Sequence, residues 1–286
     1  IRNESETYVN LTGELVIPEM EGKDDQLFQK PSKARLKGKL LKALVAAGIL
    51  AGISIGFFQL ITPATKQAYA NSYPLLKKSS TERAEYKYIL LPDSTQVWLN
   101  AGSTLEYPDH FDLTNREVTL SGEAYFDVKH AAEHPFLIHT GHILTTVLGT
   151  AFNINAYPER SNVTVSVSRG KVRVSRGNKL VATLLKGQQV NVSERDDRVA
   201  QKNIEVNSVA GWQQGNLAYD DEPLQDIIAD LQRVYSTDIL ISNNNIRQLK
   251  ISTSFRRELG VSQALEILCK LTDTQLFQKE GTYIIQ

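Results

Sequence analysis

Residues 43–61 read ALVAAGILAGISIGFFQLI, and this stretch decides how the rest of the chain is interpreted. Its nineteen residues carry no charge. Because an α-helix rises about 1.5 Å per residue, such a helix would span roughly 28 Å, close to the ~30 Å hydrocarbon core of a bilayer. We therefore predict a transmembrane helix over residues 40–62, with a short polar tail before it and a long folded region after it.

The charges on either side of this helix predict its orientation. Six Lys and Arg residues and no acidic residue lie between residues 30 and 42, whereas Lys66 is the only charged residue among the fifteen that follow Ile61. Cytoplasmic flanks are enriched in Lys and Arg. Residues 1–39 are therefore expected to form a cytoplasmic tail, residues 63–84 a juxtamembrane linker, and everything after residue 62 to lie outside the cytoplasm.

A cleaved signal peptide is the alternative to a permanent anchor. Residues 68–70, Ala-Tyr-Ala, match the small-x-small pattern of a cleavage site. The apolar run is longer than the about 7–15 residues usual in a signal peptide, and a long leader precedes it, so the sequence favours an anchor.

Three glycines within the span recur every fourth residue, at Gly48, Gly52 and Gly56. A ridge of small residues lets two helices approach closely in lipid, so this face predicts helix packing or dimerisation. Glycine is also common in membrane spans generally, and this alternative stays open.

Composition excludes several classes of protein. The 32 basic and 32 acidic residues cancel, which leaves no electrostatic footprint for nucleic acid. The single cysteine, Cys269, excludes an intrachain disulfide framework. The region beyond the span must therefore be stabilised by burial of its own apolar core.

Residues 85–208 are predicted to form an all-β domain, either a sandwich or a solenoid-like stack. Short runs of β-branched and aromatic residues recur there, such as QVWL at 96–99 and VTVSV at 163–167, and turn residues close each run. A strict repeat is not present, so the periodicity does not support a regular β-helix.

Residues 212–286 are predicted to form a small α+β domain in the order βαβ-βα-ββ. A strand over 216–219 precedes Asp220 and Asp221, which are candidates to cap a helix that has Pro223 in its first turn. One face of that helix is predicted to carry Leu224, Ile227, Ile228, Leu231, Val234 and Tyr235. A second helix from Ser262 is predicted to bury Val261, Ala264, Leu265, Leu268 and Leu271, and a hairpin around Gly281 ends the chain.

One segment matches a metal-site pattern. Residues 130–134, His-Ala-Ala-Glu-His, have the spacing of an inverted zinc-hydrolase motif, which needs both imidazoles on one helical face. Pro135 and the strands predicted on both sides indicate a surface loop instead. We therefore predict no metal, no cofactor and no enzymatic turnover, and a zinc hydrolase is kept as a remote alternative.

The Gly149-Thr150 bond is a candidate for self-cleavage. A threonine hydroxyl can attack the preceding carbonyl in an N-to-O acyl shift, and glycine before it leaves that carbonyl unhindered. The alternative is a β-bulge glycine followed by an ordinary strand threonine.

Several motifs, in order, resemble the FecR-type transmembrane regulators, which are anti-sigma factors abundant in relatives of Bacteroides. They are LPDSTQVWLNAGS at 91–103, GEAYFDV at 122–128, PF at 135–136, VLGTAFN at 147–153 and AY at 156–157. The closing domain resembles the secretin/TonB short N-terminal fold. The resemblance extends from about residue 88 to residue 286.

This resemblance implies a relay across the envelope. The periplasmic part would engage the signalling domain of an outer-membrane TonB-dependent transporter, and the cytoplasmic tail would act on an extracytoplasmic-function (ECF) sigma factor. It implies residence in the bacterial inner membrane, with the C-terminus in the periplasm, and in some relatives self-cleavage at a Gly-Thr bond. The family's cytoplasmic region is usually longer than residues 1–39, which indicates a truncated or diverged sigma-binding part.

The surface expected to contact the transporter lies on the closing domain. A sheet edge beside a helix offers both backbone pairing and side-chain contacts. On that basis the predicted partner-binding residues are Asn216, Leu217, Tyr219, Arg233 and Tyr235. An envelope scaffold that uses the same small fold for assembly is the alternative, and it predicts a stable homo-oligomer.

Overall fold

The computed structural model describes residues 75–112 and 114–286, all within one compact unit that spans residues 72–286. In this part of the chain no helix is both long and apolar enough to cross a membrane. The predicted span over 40–62, the tail over 1–39 and the glycines Gly48, Gly52 and Gly56 lie outside the described residues, so these remain predictions.

Thirteen strands form a β-sandwich, named here for residues 75–203. They are β1 (Leu76–Ser80), β2 (Lys87–Leu90), β3 (Gln96–Leu99), β4 (Thr104–Pro108), β5 (Arg116–Asp127), β6 (Phe136–Thr140), β7 (Ile143–Val147), β8 (Ala151–Ala156), β9 (Asn162–Arg169), β10 (Lys171–Arg176), β11 (Lys179–Leu185), β12 (Gln188–Ser193) and β13 (Val199–Asn203). The predicted linker over 63–84 is wrong for residues 76–80, because strand β1 pairs with β4 along its whole length.

The long strand β5 belongs to both sheets of the sandwich. Its first half pairs with β4 and β6, and its second half pairs with β3 and β8. The bend between the halves is at Gly122, whose φ is +105°. A Cβ at this position would lie 2.6 Å from the Cβ and 2.7 Å from the Cα of Ser103, so only glycine allows this approach.

The two sheets bury one apolar core. Strand β5 alternates buried and exposed residues over its first half, the period expected of a half-buried strand. Phe126, Phe136 and Phe152 are fully buried, and the rings of Phe126 and Phe152 stack with centroids 5.4 Å apart. The core forms without a disulfide, because Cys269 is a free thiol.

The chain passes repeatedly from one sheet to the other. It crosses at residues 148–150 between β7 and β8, at Gly170 between β9 and β10, and near Gly187 between β11 and β12. The successive strand pairs β6–β7, β8–β9, β10–β11 and β12–β13 therefore belong alternately to one sheet and the other. The predicted β-rich architecture is confirmed, and its form is a two-layer sandwich.

The C-terminal unit, residues 216–286, contains two helices and five strands in the predicted order. They are β14 (Asn216–Pro223), α1 (Leu224–Tyr235), β15 (Ile239–Ile241), β16 (Lys250–Arg256), α2 (Val261–Thr272), β17 (Leu276–Lys279) and β18 (Thr282–Ile285). Strands β14 and β16 form an antiparallel pair, and the second sheet has the order β15-β18-β17.

The apolar face predicted for α1 is confirmed for five of its six residues, since Leu224, Ile227, Ile228, Leu231 and Val234 are buried, while Tyr235 is half-buried. The predicted start of this helix is wrong in detail. Asp220 and Asp221 continue β14 through an irregular register and cap nothing, and the helix begins only after Pro223.

In α2 the buried residues are Ala264, Leu265, Leu268 and Cys269, whereas Val261, predicted buried, is half-buried and Leu271 is exposed. At 3.6 residues per turn Leu271 lies about 90° from the centre of this face, and Cys269 lies within it. The prediction that Leu271 is buried was therefore wrong.

Candidate functional site at the junction of the sandwich and the C-terminal unit

The loop between β1 and β2 connects the sandwich to the C-terminal unit. The backbone N–H of Ala84 donates a hydrogen bond of 2.7 Å to the carbonyl of Arg233 in α1. The Arg257 guanidinium lies over the ring of Tyr86, 4.5 Å from its centroid, and that ring stacks on Trp212. These contacts attach the C-terminal unit to the first described segment of the sandwich.

Arg233 is the central residue of this junction. Its side chain is only 9% exposed, and its guanidinium lies 3.6 Å from the ring centroid of Tyr157 in the sandwich. The guanidinium also pairs with Glu159 of the sandwich and with Asp230 one turn back in α1. A cation desolvated against an aromatic face and paired with carboxylates is among the stronger polar contacts in proteins.

Glu123 on β5 is a buried carboxylate on the sandwich side of the junction. Its carboxylate accepts hydrogen bonds from the amides of Asn100 at 2.7 Å and Asn153 at 2.8 Å. The side-chain amide oxygen of Asn153, Oδ1, in turn accepts from the indole N–H of Trp212 at 3.1 Å. Burial raises the pKa of Glu123, and the nearby Asp230 raises it further, whereas both amides oppose the shift.

Further acidic groups lie near Glu123 at the junction. Glu222 lies 3.6 Å from Arg160, and burial raises the pKa of Glu222 and likewise the pKa of Asp226. The Tyr219 hydroxyl donates to Asp230 at 2.6 Å. A polar cavity of about 650 Å³ opens between the two parts of the molecule here. The junction therefore holds more carboxyl groups than guanidinium groups.

The excess of carboxyl groups over guanidinium groups at the junction predicts that the free energy of unfolding depends on pH. Because the pKa of Glu123 is raised, the folded chain binds this proton at higher pH than the unfolded chain does. The free energy of unfolding must then fall as pH rises from the usual carboxyl range through the raised pKa. We expect Glu123→Gln to remove this part of the slope in urea titrations of the purified chain between about pH 4 and 8.

Glu117→Gln is the matched control, since this glutamate lies on the same strand with its side chain 52% exposed. It should leave the slope unchanged. An identical pH slope in the wild type and in Glu123→Gln would contradict the assignment.

The structure places the five predicted partner-binding residues around this junction. Leu217, Tyr219 and Arg233 are buried, while Asn216 and Tyr235 are half-buried. In this arrangement the three buried side chains contact the chain itself and offer almost no area to a partner. Recognition through these five residues stays a prediction.

Sequence reasoning missed Glu123, Tyr157, Glu159 and Asn153. They come from strands and turns that are distant in sequence from Arg233 and Trp212, so no spacing relates them. No sequence signal marked Glu123. It alternates with the core residues Ala124 and Phe126, so it lies on the outward face of β5, where a charge is usual, and only the C-terminal unit buries it.

The Gly149-Thr150 bond lies at a crossing between the two sheets. The Thr150 hydroxyl is buried and donates to the carbonyl of Lys171 at 2.9 Å. The φ of Gly149 is not left-handed, and a Cβ there would lie 2.6 Å from both the Cα and Nδ1 of His130. Glycine is therefore required by this close approach. Gly149 and Thr150 precede β8, whose register with β9 shifts between Ala151 and Phe152, and cleavage at this bond stays a prediction.

The segment with the zinc-like spacing has no helical turn. Residues 128–135 form an irregular loop between β5 and β6, so His130 and His134 do not share a helical face. Within residues 75–112 and 114–286, no group of three or more His, Cys, Asp or Glu side chains is placed to hold a metal ion. The geometry required by the zinc-hydrolase alternative is not formed.

Comparison with known proteins agrees with this architecture. The family model described as FecR protein matches residues 77–173, and the model described as FecR, C-terminal, matches residues 216–286. Two crystal structures of a candidate anti-sigma factor from Parabacteroides distasonis, at 1.65 and 2.50 Å resolution, share 30% and 31% sequence identity with the chain.

Each of these structures superposes with a TM-score of 0.70 and is covered over 98% of its own length, and they cover 73% and 74% of this chain. No curated protein matches the chain. The chain belongs to the FecR family, a class of anti-sigma regulator.

Proposed function

We propose that this protein is an inner-membrane anti-sigma regulator that relays a signal from an outer-membrane TonB-dependent transporter to an ECF sigma factor. The observation that carries the proposal is the succession of a FecR match and a FecR C-terminal match in a chain whose solved relatives are candidate anti-sigma factors. Residues 1–39 would act on the sigma factor, residues 40–62 would cross the membrane, and the sandwich and C-terminal unit would lie in the periplasm. The role requires neither enzymatic turnover nor a cofactor.

The junction supports a relay through the periplasmic part. Its contacts connect the C-terminal unit to residues 81–86, the loop that follows β1, the first described strand. A partner that moves the C-terminal unit would therefore act on the membrane-proximal end of the sandwich.

The outer face of the sheet β15-β18-β17 is the surface we assign to the transporter's signalling domain. Leu240, Ile284 and Phe277 are directly opposite one another in register, so they form one apolar row across the three strands. Leu240 and Phe277 are 56% and 48% exposed. The helices pack on the other face. Within the described residues the outer edge of β17 pairs with no further strand and suits an added strand, whereas at the outer edge of β15 Gln232 accepts from Ile239 N–H and Arg247 donates to the Ile241 carbonyl.

A transcription experiment tests this function. Deletion of the gene should change expression from the promoters of one ECF sigma factor, and the wild-type chain should restore inducible expression. The double variant Leu240→Asp, Phe277→Asp should restore a stable protein without induction. Leu180→Asp, at an exposed leucine of β11, is the matched control and should restore induction fully. No change in any sigma-dependent promoter would refute the proposal.

Cleavage at Gly149-Thr150 is the step we propose for signal release. After a cut, β5 would still pair with β8 over six residue pairs and β7 with β10 over four, and both pairings connect the two fragments. The fragments would therefore stay associated until a partner or a protease acted on them.

A further inference from the structure

His130 is held against the residue whose carbonyl would be attacked in self-cleavage. Since a Cβ on Gly149 would lie 2.6 Å from Nδ1 of His130, the imidazole nitrogen lies within about 4 Å of the Gly149 Cα. His130 is exposed and follows β5 in the loop to β6. Neither its position nor its exposure is explained by core packing.

We propose that His130 transfers the proton during cleavage of the Gly149-Thr150 bond, an inference that rests on the cleavage proposed above. Imidazole is the side chain best suited to accept and donate a proton near neutral pH. This loop contains the residues with the zinc-like spacing, and it places one of its histidines against Gly149.

The surrounding backbone holds this bond in place on both sides. The carbonyl of Leu148 accepts from Ala131 N–H at 2.8 Å, and the carbonyl of Thr150 accepts from Val128 N–H at 2.9 Å. The loop that carries His130 is therefore hydrogen-bonded to the residues before and after Gly149. This fixes the backbone of His130 relative to the bond.

Gly170 leaves room for the threonine hydroxyl on the other side. A Cβ on Gly170 would lie 2.9 Å from the Thr150 Oγ1 and 3.2 Å from the Gly149 carbonyl oxygen. The hydroxyl donates to Lys171 in the resting arrangement and must rotate about χ1 to reach the Gly149 carbonyl carbon. The left-handed φ of Gly170, +89°, keeps this side free of a side chain.

The chemistry balances with water as the second reactant. After the rotation about χ1 that takes it away from Lys171, the Thr150 oxygen forms a bond to the Gly149 carbonyl carbon, and its proton passes to His130, directly or through one water molecule. The carbon–nitrogen bond breaks as His130 returns the proton to the leaving nitrogen, which yields an ester and a free amine. Water then hydrolyses the ester, leaving a carboxylate at Gly149 and an amino terminus at Thr150 with its hydroxyl restored.

The test uses the full chain in membranes, with a tag at each end, and follows the two fragments by immunoblot after a pulse of synthesis. The wild type should yield two fragments, and Thr150→Ala should yield one uncut chain. His130→Ala should slow cleavage at least about 100-fold, the range typical for loss of a general acid–base group. His134→Ala is the matched control, an exposed histidine of the same loop, and should cleave at the wild-type rate.

Chemical rescue separates proton transfer from a structural role. Added imidazole should restore cleavage in His130→Ala, and His130→Asn, which can hydrogen-bond but not transfer a proton, should remain slow. Wild-type cleavage in His130→Ala would overturn the inference and leave the cleavage itself intact. Recovery in His130→Asn without rescue by imidazole would overturn it in favour of a positioning role. An uncut wild type would overturn both, while the relay would stand or fall with the transcription experiment.

Discussion

Replacing Arg233 by alanine is expected to detach the C-terminal unit from the sandwich and to lower the free energy of unfolding by about 2–4 kcal/mol. The guanidinium is almost fully buried, stacks on Tyr157 and pairs with Glu159 and Asp230. Its removal leaves the half-buried Asp230 carboxylate, whose side chain is 13% exposed, with the Tyr219 hydroxyl as its one side-chain donor among the described residues. Breaking one partner of a buried ion pair costs far more than the pair contributes in water.

Two measurements report this change. Urea unfolding should show a lower midpoint and a separate early transition, because the junction no longer couples the two parts. Limited proteolysis should cut faster in residues 204–215, which form short turns between β13 and β14.

Arg83→Ala provides the control for this variant. Arg83 also bridges the two parts through an ion pair with Asp238, at 2.9 Å, but the two side chains are 49% and 69% exposed. Exposed pairs contribute about 0–1 kcal/mol, so this variant should behave nearly as the wild type. Equal effects of the two substitutions would contradict a special role for Arg233 and indicate that long-range charge alone holds the junction.

Replacing Gly122 by alanine is expected to have a still larger effect and to lower the free energy of unfolding by about 3 kcal/mol or more. The new Cβ would lie 2.7 Å from the backbone Cα of Ser103, an atom that cannot move without shifting β4. The φ of +105° is also one that residues with a side chain rarely adopt. Since β5 passes between the sheets at this point, relief of the clash would disturb both layers.

Gly177→Ala separates the clash from the backbone strain. Gly177 has a φ of +53°, and nothing lies within 4 Å of the position of its Cβ. Only the left-handed conformation is then penalised, by about 1–2 kcal/mol. Comparison of soluble yield and urea midpoints for the two variants checks the prediction, and a Gly122→Ala chain as stable as Gly177→Ala would show that the bend tolerates a side chain.

Much of the C-terminal unit could be predicted because its signals are local. The apolar residues of α1 recur at a helical period, and the hairpin of β17 and β18 has Gly281 at its turn. Prediction of the start of α1 failed because a local capping signal competed with strand pairing. Asp220 and Asp221 resemble caps in isolation, but pairing with β16 keeps them in a strand.

The candidate sites could be predicted only in part. The VLGTAFN motif contains Gly149 and Thr150, and the chemistry of this pair depends only on adjacent residues. The contacts of Gly149 with His130 and of Thr150 with Lys171 join residues about twenty positions apart in sequence, and no periodicity encodes such a distance. The predicted recognition residues could not be placed for the same reason. Arginine is a residue type usually found at the surface, but Arg233 is buried by a different part of the chain.

By itself the sequence determined the β-rich character of the region after residue 85, the helical faces of the closing unit and the family to which the chain belongs. These depend on side-chain periodicity and on short motifs, which are properties of neighbouring residues. Only the tertiary structure decided that β5 serves two sheets, that Arg233 joins the two parts and that His130 lies against Gly149. Such contacts arise when distant strands pair and close-pack, and the free energy that selects among them is a property of the whole fold.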